Sequence, residues 1–114
     1  MKKHTKAIYF ISVLGGNTCP VNCLQITAKQ YKEASKNAKS DFNETYSNDE
    51  ELREDNGAEM WKKTDNKRGI KKTSFNVREG CCWVIFEKYE IIEKDKYCFS
   101  AEMTAEQIRN YFEY

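Results

Sequence analysis

Five cysteines, one histidine and two opposed runs of charge are the residues of this 114-residue sequence with types and spacings that could do chemistry. Cys19-Pro-Val-Asn-Cys23 puts two thiols on one loop, while Cys81, Cys82 and Cys98 lie far along the chain. Four thiolates can hold zinc tetrahedrally, but such sites usually carry two tight C-x₂₋₄-C knuckles, and only Cys19 and Cys23 have that spacing. A zinc site and a structural or redox disulfide within Cys19–Cys23 are the two cysteine-based alternatives. Cys81 and Cys82, being adjacent on a strand, point to opposite faces, and with Cys98 they read as small buried apolar residues. A thiol hydrolase needs a base beside its nucleophile, and the one histidine, His4, stands at the frayed start of the chain. No metal, no cofactor and no catalytic role follow from these residues.

Gly15-Gly16-Asn17-Thr18 comes after an apolar run, as phosphate-cradling loops do after strands. It lacks both G-x-G-x-x-G and the Walker lysine, so a strand-ending turn is the simpler reading, with a small nucleotide-binding site as the alternative.

The charge pattern says more. The net charge is +1, yet Asp41–Glu59 holds eight acids against Arg53 alone, and Lys62–Lys72 holds six bases against Asp65 alone. Asp49, Glu50, Glu51, Glu54, Asp55 and Glu59 form an acidic surface suited to a basic protein partner, because complementary charge speeds encounter and selects partners. Such a surface can also present charge as a phosphate backbone does. Lys62, Lys63, Lys67, Arg68, Lys71 and Lys72 make an alternative basic patch, interleaved with Trp61 and Phe75, through which nucleic acid is the alternative partner. With 15 Lys to 4 Arg the chain is poor in the rigid fork that reads bases bidentately. The carboxylates of the acidic run have no apolar neighbours to raise a pKa, which argues against acid–base catalysis there.

The elements that must position these residues follow from periodicity. Lys6–Leu14 is apolar on both faces and reads as an inner strand; the basic Met1–Lys6 before it imitates a secretory signal, but the apolar run is short and no A-x-A site follows. Leu24–Ile26 is a short strand. Thr27 caps a helix over about 28–41, with Ala28, Tyr31, Ala34 or Ser35, Ala38 and Phe42 inward and Lys29, Lys32, Lys36 and Lys39 outward. Residues 41–57 form an acidic segment, either a mobile loop or a short helix capped by Asn48. Ala58–Lys63 and Ile70–Glu79 read as strands joined by residues 64–69, with Thr73, Phe75 and Val77 inward and Ser74, Asn76 and Arg78 outward. Cys81–Glu102 reads as a long hairpin: a first arm over Cys82–Ile92, covered on both faces, then residues 93–96 and a second arm at Tyr97–Met103. On that arm Trp83, Ile85 and Phe86 are expected to be buried, as is Phe99 on the second. Thr104 and Gln107 spell a capping box for a final helix with Ala105, Ile108, Tyr111 and Phe112 inward.

The sum is one α+β domain over residues 1–114, an antiparallel sheet of about four to five strands with two helices packed on one face. Nothing approaches the ~20 apolar residues that span a bilayer, so no membrane partner is expected, and the chain is placed in the cytoplasm with reduced thiols. In size and in its lysine-, asparagine- and tyrosine-rich composition it resembles the accessory proteins of phages and mobile elements, anti-CRISPR proteins among them. That resemblance, which rests on no motif, implies a non-enzymatic inhibitor of a host defence nuclease presenting its acidic surface to a basic partner.

Overall fold

A computed structural model describes residues 7–15, 22–92 and 104–113. In chain order its elements are β1 (Ala7–Gly15), β2 (Asn22–Ile26), α1 (Ala28–Tyr46), α2 (Glu50–Asp55), β3 (Ala58–Lys67), β4 (Ile70–Glu79), β5 (Cys82–Ile91) and α3 (Ala105–Glu113). The five strands form one antiparallel sheet in the order β2-β1-β5-β4-β3.

β5 is the central strand, as its doubly apolar pattern requires. It pairs with β1 from Ala7↔Glu90 to Gly15↔Cys82 and with β4 from Ile70↔Ile91 to Glu79↔Cys82. Both of its hydrogen-bonding edges are therefore occupied along its length. The second hairpin arm expected at 97–103, with Phe99 and Cys98, lies outside the described residues. β4 and β5 form a hairpin through Gly80 at φ 59.

The helices take opposite faces, not the one face expected. Along β4, Val77 and Ile70 differ by an odd number of residues and so point to opposite sides. Val77 is buried with Ala58 against Phe42 and Tyr46 of α1, whereas Ile70 is buried with Ile8, Phe10, Tyr89 and Ile91 against Ile108 and Phe112 of α3. Two separate cores flank the sheet. Phe86 is 2% exposed on the α1 face, edge-on to Tyr31 at 6.1 Å and stacked on Phe75 at 6.0 Å. α3 covers only the Ile70–Ile91 end of its face. Trp83 and Ile85, at the other end, are accordingly half-buried and not fully enclosed. There Asn76 is buried, contrary to its polar type, because its Oδ1 accepts from Trp83 Nε1 at 3.2 Å and its Nδ2 donates to Ser74 at 3.3 Å.

Local signals explain the boundaries. Thr27 and Gln30 exchange a full capping box, with Thr27 N donating at 2.9 Å and Gln30 N at 3.1 Å. Thr104 and Gln107 repeat it at 2.8 and 3.2 Å. α1 runs five residues past the expected end because Tyr46 continues the stripe of Tyr31, Ser35, Ala38 and Phe42, and its hydroxyl donates to Glu79 at 2.7 Å. The acidic segment is a helix, α2, capped by Asp49, whose Oδ1 accepts from Leu52 N at 3.1 Å; Asn48 is in the preceding turn. The expected 64–69 loop shrinks to Arg68-Gly69, with φ 55 and 76, the mirror-image turn whose twist suits a two-residue hairpin.

Candidate functional site: a lysine-lined groove

Side chains at 32, 36 and 39 lie one step round α1 from the buried stripe, so they flank the sheet without entering the core. α1 crosses the sheet toward the Ala58–Val77 end and leaves the hairpin end of that face open. The result is a groove of about 750 Å³ between the helix and strands β3, β4 and β5. Its rim carries Lys32, Lys36 and Lys39 from α1, Lys62 from β3, Lys71 from β4 and Lys88 from β5, against the single acid Glu90. Its floor and walls include Tyr31, Met60 and Phe75, and at the β3 edge it borders Trp61, whose ring has the parity of Lys63 and lies beside Trp83 on the α3 side.

The aromatics are held in place. Tyr31 packs on Tyr9 with ring centroids 4.9 Å apart, and both it and Phe75 rest on Phe86. Burial, then the neighbouring Tyr9, raises the Tyr31 phenol pKa above its ordinary value, so the ring is neutral at physiological pH. Lys88 is partly engaged, its Nζ 3.6 Å from Glu90 and 5.8 Å from the centroid of Tyr9.

The alternative basic patch is thus divided by strand alternation. Lys62 and Lys71 line the groove, whereas Lys63, Lys67 and Lys72 have the opposite parity and face the α3 side. Lys63 pairs with Asp65 at 3.8 Å, and Arg68, in the turn, lies 5.3 Å over the ring of Tyr111. What replaces the missing bases are Lys32, Lys36, Lys39 and Lys88. The signal for the first three was present as the outward lysine face of the first helix, but nothing in the sequence placed that face opposite Lys62 and Lys71.

Lys72 belongs to another cluster, which sequence reasoning missed. Glu87, 6% exposed under α3, accepts from Lys72 Nζ at 3.1 Å and from the Tyr89 hydroxyl at 3.0 Å, with Arg109 Nη2 4.0 Å away. Lys72 also reaches Glu113 at 3.1 Å, and Arg109 Nη1 donates to Cys23 Sγ at 3.0 Å. A buried carboxylate flanked by two cations and a phenol binds α3 to the sheet. Burial and then Glu87 push the Tyr89 phenol up to about 12. For Lys72, burial pulls the pKa down, but Tyr89, Glu87 and Glu113 together outweigh it and the net shift is upward. A pKa raised on folding holds stability below the unfolded-state value and loses it as pH climbs through the folded one. Melting temperature is therefore expected to fall as pH rises from 10.0 to about 12. Tyr89→Phe should make that fall shallower in a circular dichroism series, and an identical slope would show that the phenol is not part of the linkage.

Among the described residues the cysteines do not assemble. Cys23 is half-buried and neighbours a guanidinium, which cannot accept a proton. Cys81 and Cys82 are exposed free thiols, not the buried ones expected, because one sits in the turn and the other at the start of β5, past the reach of either helix core. Cys19, Cys98, His4 and Gly16–Thr18 lie outside the described residues. Among the described residues no three His, Cys, Asp or Glu side chains gather as a metal site, and no helix is long and apolar enough to cross a membrane.

The acidic residues stand together at the far end. Asp49, Glu50, Glu51, Glu54, Asp55 and Glu59 are all exposed, and Glu50, Glu54 and Glu59 with Arg53, Gly57 and Ala58 line a shallow hollow of about 560 Å³. Arg53, 5.2 Å over the ring of Phe42, ties α2 to α1. Among the described residues none of these six carboxylates forms an ion pair with the Lys62–Lys72 hairpin, so acid and base are separate surfaces. No family model, curated protein or solved structure matches the chain.

Proposed function

We propose that this chain is a non-enzymatic binding module whose working surface is the lysine-lined groove, and that the groove takes a polyanionic partner. The observation that carries the reading is convergence. Six lysines spread from position 32 to position 88, on four different elements, meet round one apolar hollow that contains a single glutamate. Lysines that merely solvate a surface have no reason to collect in a concavity, where their mutual repulsion is strongest; an anion relieves that repulsion. Inorganic polyphosphate is the direct probe. Wild-type protein is expected to bind it with an affinity that drops steeply with salt. The triple variant Lys32→Ala, Lys36→Ala, Lys39→Ala should bind more weakly, with the log–log salt slope shallower by about 2. These lysines are exposed on α1, so melting temperature should hold. Absent binding at low salt, or a variant that binds as wild type does, would remove the groove from consideration.

The unpaired acidic end supports a second reading, that of a phage-type inhibitor which offers Asp49, Glu50, Glu51, Glu54, Asp55 and Glu59 to a basic protein such as a defence nuclease. Neutralising Glu50, Glu51, Glu54 and Asp55 together should then slow association with that partner and flatten its salt dependence while stability holds, since exposed charges steer encounter and are screened over about 8 Å at physiological salt. An unaltered association rate would leave α2 as a solvating cap.

A further inference from the structure

We infer that the polyanion is a single-stranded nucleic acid whose backbone follows the lysines and whose bases stack on the groove's aromatic side chains; this rests on the groove being the binding surface. Phosphate alone would need only the lysines. Here the hollow between them is floored by Tyr31, Phe75 and Met60, each partly exposed, and Trp61 borders it at the β3 edge. An apolar, aromatic floor beneath a ring of cations matches the two halves of a nucleotide, a flat base and a charged phosphate. In a duplex the base faces are already stacked inside, so such a floor would go unused. At about 750 Å³ the hollow is also of small-ligand size, with room for splayed nucleotides.

The edge of the sheet extends the platform. Trp61 lies on the edge strand β3, and its ring is 5.8 Å from that of Trp83 on the α3 face. Trp83 is held in orientation by its bond to the buried Asn76, so the indole pair is fixed before any ligand arrives. A strand leaving the groove over β3 meets these rings next. The cations are lysines without an arginine among them, which provides charge without bidentate base reading, so recognition should tolerate any sequence.

The test compares three probes at one salt concentration: an oligothymidylate of about 15 nucleotides, a duplex of the same length, and polyphosphate of matched charge. The single strand is expected to bind tightest and to quench tryptophan emission. Trp61→Ala should weaken it at least about fivefold, while Trp61→Phe, which keeps a π face, restores most of the affinity. Neither substitution should move polyphosphate binding more than about twofold, which also shows that the variants are folded. If the single strand and polyphosphate bind alike and Trp61→Ala changes neither, stacking is absent and the groove is an electrostatic site only. Tighter binding of the duplex, or of a poly-glutamate peptide added as a fourth probe, overturns the single-strand inference while leaving the groove as the surface. If no probe binds, the groove itself fails with it.

Discussion

Phe86→Ala is expected to lower the free energy of unfolding by about 3–5 kcal/mol, the range for removing a fully enclosed aromatic ring. Phe86 is 2% exposed at the middle of the middle strand, with β1 and β4 hydrogen-bonded on either side. Neither neighbour can shift to fill the void without breaking its own ladder, so the cavity should persist and the cost should fall toward the upper end. The ring is also the support beneath Tyr31 and Phe75, 6.1 and 6.0 Å away, which form part of the groove. Urea unfolding at neutral pH measures the loss. A variant with an unchanged midpoint would mean that α1 does not cover β5, and the groove would then lose its wall as well.

Glu87→Ala should cost about 2–3 kcal/mol. Removing one partner of a buried ion pair typically costs ~3–5 kcal/mol because an uncompensated charge is left behind. The lower figure applies here because Lys72 keeps Glu113 and its side chain is 21% exposed, while that of Arg109 is 35% exposed. The double replacement Glu87→Leu with Lys72→Met should be less damaging than Glu87→Ala, since no buried charge is stranded. Urea unfolding of these variants decides it. A loss below about 0.5 kcal/mol for Glu87→Ala would mean that α3 is held by Ile108 and Phe112 alone.

Local chemistry in the sequence determined much of this protein by itself. Thr27 with Gln30 and Thr104 with Gln107 mark both long helix starts, because a capping box closes within four residues of chain. The doubly apolar β5 had to be central, since only a strand flanked and covered on both sides can bury both faces. The separation of acid from base was likewise legible in the order of residues 41–72.

Contacts between distant segments belong to the tertiary structure. Both helices were expected on one face, yet Phe42 and Phe112 are equally apolar and either side of β5 accepts them, so only packing assigns them to opposite faces. Glu87 lay in an apolar strand with no signal of its partners, which come from β4 and α3. The basic patch read from Lys62 to Lys72 could not survive as one surface, because successive strand residues point to opposite sides of the sheet. Lys62 and Lys71 instead meet Lys32, Lys36, Lys39 and Lys88, which neither sequence proximity nor composition connects to them. A helix laid across one end of a sheet brings those residues together, and no local preference encodes where that helix comes to rest.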